Sequence, residues 1–234
     1  MNEKICFVTA NFVGEKFKAP DIPGRFKKMK GCDYILFTNV RKEVFQNCCW
    51  DIREIDFPEI DDCIIKSRIP KFQIWKIKEM EKYDIIVYCD AYWTPKCGEK
   101  EWKKLFDRVL EDESGIIQGK NPYRICAYEE CDELIRQKKD SIDRMEKTKE
   151  FLESEGLEKN FGLWRNTFLV YDTKNEKVKI LFDYLWDLFK EGKYTHRDQP
   201  LYSLAVMKTG IKPSILNLQP YFNMNGRISK HVYS

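Results

Sequence analysis

Asp84-Ile85-Ile86-Val87-Tyr88-Cys89-Asp90-Ala91-Tyr92-Trp93 is an apolar run that stops at a carboxylate. A short buried strand ending in Asp delivers an oxygen ligand to the carboxyl edge of a sheet, where open α/β folds hold their ligands. The same residues also suit an ordinary strand followed by a turn-forming Asp. What surrounds the run decides between the two.

Upstream, Ile5-Cys6-Phe7-Val8-Thr9-Ala10 reads as a strand, followed by a polar loop carrying Gly14, Pro20, Pro23 and Gly24. Tyr34 to Thr38, closed by Asn39, reads as a second strand, and Trp50 to Ile55 as a third. Pro70 near a start, with Ile69, Phe72, Trp75, Ile77 and Met80 behind it, predicts one helix running into the Asp90 strand. Strand, loop, strand, strand, helix, strand opens a nucleotide-binding α/β sheet. Downstream, Tyr128 to Asn160 is densely charged and free of Pro, which predicts an exposed helical excursion. Phe168 to Tyr171 reads as a strand. Val178, Leu181, Leu185 and Leu188 recur at helical spacing as core, and a last helix is expected from Asp198-Gln199-Pro200 to Gly210, with Asp198 as its N-cap.

The 234 residues suffice for one domain with a proper core. We divide it into a nucleotide-binding half, 1–118, and an acceptor and catalytic half, 119–234. A formal charge of +3 gives no reason to expect nucleic acid as the partner, while leaving room for a local basic pocket that holds a pyrophosphate. No apolar stretch approaches the roughly 18 residues of a membrane span, and Met1-Asn2-Glu3-Lys4 leads straight into a strand, so a cytoplasmic protein is expected. The nine cysteines form no C-x-x-C pair and read as reduced, small apolar residues, not as zinc ligands.

Three blocks of sequence carry a resemblance. They are Ser67-Arg68-Ile69-Pro70-Lys71 leading to Tyr88-Cys89-Asp90-Ala91, then Asn121 to Glu130, then Gly162-Leu163-Trp164 continuing to His196-Arg197-Asp198-Gln199-Pro200. In this order the chain resembles a family of type A-fold (GT-A) glycosyltransferases found among plant mucilage proteins, bacterial capsular polysaccharide clusters and large DNA viruses. The resemblance spans about residues 66 to 210. It implies a mixed, mostly parallel sheet flanked by helices, a nucleotide-sugar donor, a glycan acceptor and a place in polysaccharide biosynthesis in a virus or bacterium.

Sugar transfer from a nucleotide diphosphate needs the departing pyrophosphate stabilised by a divalent cation, by Arg and Lys, or by both. Asp90 matches the first carboxylate of an Asp-x-Asp motif, but Tyr92 stands at the third position. A Mn²⁺ or Mg²⁺ cofactor on Asp90 would then need another ligand, for which the resemblance offers His231 near the C-terminus. Thr9, Ala10, Asn11 and Ala91 fall on the donor side. Arg68 and Lys71, three residues apart, share a face suited to the donor phosphates. Arg124, Glu129, Glu130, Trp164 and His196 are expected around the acceptor and sugar. Asp198, with Arg197 and Gln199, is expected at the anomeric carbon as general base or as stabiliser of oxocarbenium-like charge.

The resemblance, with an Asp-Gln pair similar to that of several retaining type A-fold transferases, implies a retaining transferase that uses a UDP- or GDP-linked donor. Two alternatives stay open. A nucleotidyltransferase shares strand-end carboxylates, although Thr9-Ala10-Asn11-Phe12-Val13-Gly14 lacks the glycine-rich loop expected of one. A non-catalytic binding module on the same fold would account for Tyr92.

Overall fold

The computed structural model describes residues 3–15, 17–46 and 48–229. His231 lies outside them. The strands are β1 (Ile5–Asn11), β2 (Cys32–Thr38), β3 (Asp51–Glu54), β4 (Ile85–Cys89), β5 (Trp93–Pro95), β6 (Ile116–Lys120), β7 (Trp164–Asp172), β8 (Ser214–Ile215) and β9 (Phe222–Met224). The helices are α1 (Cys63–Lys66), α2 (Ile69–Phe72), α3 (Glu99–Glu111), α4 (Ala127–Arg136), α5 (Ile142–Ser154), α6 (Glu176–Phe189) and α7 (Asp198–Thr209).

Seven strands form one sheet in the order β3-β2-β1-β4-β7-β6-β8. Every neighbouring pair is parallel except those made by β7, which runs against both β4 and β6. This is a mixed, mostly parallel α/β sheet flanked by helices. Strand order reverses at the β1–β4 pair, and the crevice outside the carboxyl ends at such a reversal is where open α/β sheets bind ligands. Because β7 is antiparallel, its first residues reach that same edge, beside Asp90: the Asp90 amide donates to the Thr167 carbonyl at 3.2 Å.

Both faces of the sheet are covered, so β1 and β4 are buried along their whole lengths. Side chains alternate between two cores. Cys6, Val8, Ile86 and Tyr88 face one core with α6 and α7 residues such as Leu181, Phe182 and Leu201. Phe7, Ile85, Val87 and Cys89 face the other, with Trp102, Leu105 and Phe106 of α3. The alternation that puts Ile86 and Tyr88 toward α7 puts Asp90 there too.

The single helix expected from residue 69 to 80 is not formed. Helix α2 ends at Phe72, and two 3₁₀ turns follow, Ile74–Lys76 and Lys78–Met80. Gln73 leaves helical geometry at φ −132°, ψ 37°, and its side-chain Nε2 donates to the carbonyls of Phe72 and Phe182 and to the Asp183 carboxylate. The buried residues Ile74, Ile77 and Met80 recur every third position, which matches the three residues per turn of a 3₁₀ helix.

The charged segment forms α4 and α5, which are not solvated throughout. Cys131, Leu134, Met145 and Leu152 are buried in the core shared with α6 and α7, and Thr148 is buried beside them. Asp198 is not the N-cap of α7; Arg197 is, and makes no side-chain capping bond. As the first helical residue, Asp198 sends its carboxylate across to α2. Gly210 closes the helix in the left-handed region at φ 67°.

Candidate functional site

The carboxyl edge at the β1–β4 reversal opens into a cavity of about 410 Å³. Ala10 and Asn11 from β1, Asp90, Ala91 and Tyr92 after β4, Arg68 and Lys71 around α2, and Arg197, Asp198 and Gln199 at the start of α7 all line it. These residues, all singled out from sequence, therefore meet in one place, although α2 and α7 lie 127 residues apart at the Lys71–Asp198 contact.

That contact is the centre of the site. Lys71 Nζ donates to Asp198 Oδ2 at 2.7 Å, and an Arg68 guanidinium nitrogen lies 3.5 Å from Asp198 Oδ1. Lys71 is 2% exposed and Asp198 6%. The Lys71 ammonium also lies 5.1 Å from the ring centroids of Phe72 and Tyr88, so it is held by a carboxylate on one side and π faces on the other. Burial pushes the Asp198 carboxyl up, but Arg68 and Lys71 outweigh it and hold the group at about 2. The Arg68 Nε is buried without a hydrogen-bond partner among the described residues.

Asp90 is treated differently. Burial raises its pKa above the ordinary carboxylate value; Lys71 and Arg68 oppose this, while Asp198 and Asp21 add to it. Its side-chain contact is a long one, the Tyr88 hydroxyl at 3.5 Å. Asp21, which the sequence reading passed over, lines the same cavity. Its carboxylate accepts from the Ser229 amide at 2.8 Å and from the Ser229 hydroxyl at 3.1 Å, and its carbonyl from the Asn11 side chain at 2.5 Å. Asn166 of β7 is a second lining residue missed from sequence. It is 2% exposed, and its side-chain nitrogen has no partner among the described residues.

A second cavity, of about 500 Å³, adjoins the first along Glu130, Lys139, Thr167 and Gln199, which line both. Arg124 sits there, paired with Glu130 at 2.7 Å. Burial raises the Glu130 carboxyl and Arg124 opposes it. Gln199 is anchored by a bond from its side-chain nitrogen to the Trp164 carbonyl at 2.9 Å.

Four residues named from sequence stand outside both cavities. Thr9 is fully buried beneath the edge. Glu129 is exposed on α4. Trp164 is 3% exposed, with its indole N–H unpartnered among the described residues. His196 is 2% exposed. Its Nδ1 lies 2.8 Å from the Arg144 guanidinium and its Nε2 3.2 Å from the Lys139 carbonyl. Since guanidinium only donates, Nδ1 accepts and Nε2 carries the proton. This imidazole fastens the loop after α4 to the loop before α7, under Arg197, whose guanidinium also donates to the Lys139 carbonyl at 3.3 Å.

Among the described residues no group of three His, Cys, Asp or Glu side chains is placed to hold a metal ion. None of their helices is long and apolar enough to cross a membrane.

No family profile matches the sequence, and no curated protein matches it. Solved structures do. The apo structure of the bifunctional glycosyltransferase WbbM superposes with a TM-score of 0.50 at 12% identity, over 93% of this chain and 39% of that one. Mouse xyloside xylosyltransferase 1, apo form, gives 0.49 at 10% identity over 92% and 85% of the two chains. GlyE of Streptococcus pneumoniae TIGR4 gives 0.48 at 13% identity over 94% and 46%. The chain thus spans well under half the length of WbbM, and what it shares with that structure is the mixed α/β fold.

Proposed function

We propose that this protein transfers a sugar from a UDP- or GDP-linked donor to a hydroxyl of a glycan acceptor, with retention of configuration, as a step in building a polysaccharide. The observation that carries this reading is the cluster of Asp90, Asp198, Lys71 and Arg68 at the strand-order reversal, lining one cavity that continues into a second. A donor site and an acceptor site side by side is what group transfer between two bound molecules requires.

Asp198 is held ionised by Lys71 and Arg68, which makes it a poor base near neutral pH and a good fixed negative charge. Its role is to stabilise the positive charge that develops at the anomeric carbon, with Lys71 and Arg68 as its positioning cations. The cluster balances two carboxylates with two cations, so it has no net charge with which to meet a diphosphate.

That deficit favours a divalent cation arriving with the donor. Mg²⁺ and Mn²⁺ are commonly held by one or two carboxylates plus substrate phosphates, and Asp90, unpaired with any cation among the described residues, suits that mode. Bound there, the ion would draw negative charge from the leaving diphosphate.

The test is thermal melting of the wild type and of Asp90→Asn against nucleoside diphosphates and nucleotide sugars, with and without Mn²⁺. We expect one nucleotide to stabilise the wild type, more strongly with the metal, and Asp90→Asn to lose the shift. A wild type that no nucleotide stabilises would overturn the reading.

A further inference from the structure

The second cavity holds more positive charge than its own carboxylates answer. Arg124, Arg136, Lys139 and Arg165 line it with Glu130 and Glu133. Arg124 is taken by Glu130, and Arg136 by Glu133 through an Nε–Oε2 bond of 2.8 Å. Lys139 and Arg165 are left over.

Both are held in place by contacts that leave their charge unanswered. The Lys139 backbone is pinned: its amide donates to the Leu134 carbonyl at 2.9 Å, and its carbonyl accepts from His196 and Arg197. Its ammonium has no ion pair among the described residues; burial, Arg197 and Arg124 press it toward losing its proton, and the pull of Glu130 and Glu133 offsets them only in part. Arg165 lies over the Phe168 ring at 4.9 Å and the Trp93 ring at 5.8 Å, and donates to the neutral Gln219 side chain at 2.9 Å. Like charges gathered on rigid supports without a counter-ion are stabilised when an anion joins them.

At the mouth of the same cavity stands Tyr123, 83% exposed. The Asn121 carboxamide oxygen fixes its loop by accepting from the Tyr123 and Arg124 amides at 2.9 and 3.2 Å. An exposed aromatic ring beside polar groups offers an apolar face to a sugar ring.

We propose that the second cavity binds an anionic sugar of the acceptor, a uronate or a sugar phosphate, with Lys139 and Arg165 reading the negative group and Tyr123 stacking on the ring. That this sugar is the acceptor rests on the transferase reading; that the cavity binds it does not. Lys139, lining both cavities, then also fixes the distance between the anion and the donor.

The test is an amide chemical-shift titration of the labelled protein with glucuronic acid, glucose 6-phosphate and glucose. We expect at least one anionic sugar to shift the amides of Asn121, Tyr123, Lys139 and Arg165 at concentrations where glucose does not, and the tighter of the two identifies the group read. Lys139→Gln and Arg165→Gln should each weaken that binding by about tenfold, as the loss of a hydrogen bond to a charged group does, with Arg165→Lys restoring most of it. Binding of glucose equal to that of the anionic sugars, unchanged affinity in both Gln variants, or no shift with any sugar would overturn the proposal. Anionic-sugar binding in a protein that no nucleotide stabilises would overturn the transferase reading alone and leave this site standing.

Discussion

The end of β4 and the start of α7 each place one carboxylate in the same cavity, and the fold treats them in opposite ways. Asp198 at α7 has a cation on each oxygen and is driven down to about 2. Asp90 at β4 has no cation in ion-pair contact among the described residues, and burial drives it up. One end is satisfied by the protein's own cations and the other is not. A stabilised site would have paired both; an unpaired buried carboxylate in a cleft is the pattern of a binding position kept at a cost in stability.

The contrast breaks most visibly if Asp198 is removed. Asp198→Ala strands Lys71 and Arg68 as buried cations, and we expect a loss of about 3–5 kcal/mol in urea unfolding. A loss below about 1 kcal/mol would mean that solvent reaches the pair as it does a surface ion pair. Asp90→Asn sharpens the contrast from the other side. The unliganded variant should melt no lower than the wild type, yet lose the stabilisation of about 2.7 kcal/mol that a nucleotide at 100 times its dissociation constant confers.

Acid separates the two carboxylates by sign. The folded pKa of Asp198 is below its ordinary value, so its stabilisation is complete above about pH 4 and is lost as pH falls toward 2; this amounts to about 2 kcal/mol. Asp90 has a raised folded pKa, so protonation on acidification returns stability to the wild type. In urea titrations run from pH 6 to pH 2, Asp198→Asn should show a shallower acid loss than the wild type and Asp90→Asn a steeper one. Parallel curves for the three proteins would show that the two sites do not differ in this way.

How far this arrangement was legible in the sequence follows the range of the interactions. The Asp90 strand and its neighbours in the sheet show in the apolar runs, because strands buried on both faces read as continuous hydrophobic stretches. Arg68, Lys71 and Asp198 show through short motifs. That they bind one another does not, since nothing local in Ser67 to Lys71 points to a residue 127 positions beyond Lys71, and Asp-Gln-Pro suits an N-cap as well as a first helical residue. Asp21, Lys139, Arg165 and Asn166 carry no local motif, and only the folded chain brings them to the cavities. The charges of α4 and α5 hid an apolar stripe, Ala127, Cys131 and Leu134, whose spacing of four and three residues was the available signal. The two 3₁₀ turns after α2 were equally readable, in the strict three-residue recurrence of Ile74, Ile77 and Met80.

The smallest expected effect tests what keeps the β4 end open. Strand β9 pairs with β5 directly after Asp90, and the chain then passes over Tyr92, where the Gly226 amide donates to the Tyr92 carbonyl at 3.0 Å. A Cβ on Gly226 would lie 2.7 Å from the Tyr92 Cα and 2.8 Å from the Ile22 carbonyl oxygen, both backbone atoms that no rotamer change can move aside. Beyond this point Ile228 lines the first cavity and Ser229 holds Asp21. Gly226→Ala must therefore lift this segment, at a cost of about 1–2 kcal/mol as for other overpacked positions. Because the segment touches Asp21 and not the Lys71–Asp198 pair, the variant should weaken nucleotide-dependent stabilisation while its acid-unfolding curve keeps the wild-type shape. If Gly226→Ala flattened the acid curve as Asp198→Asn does, the two ends of the cavity would be mechanically one, and the contrast between them would belong to the whole pocket instead of to its separate walls.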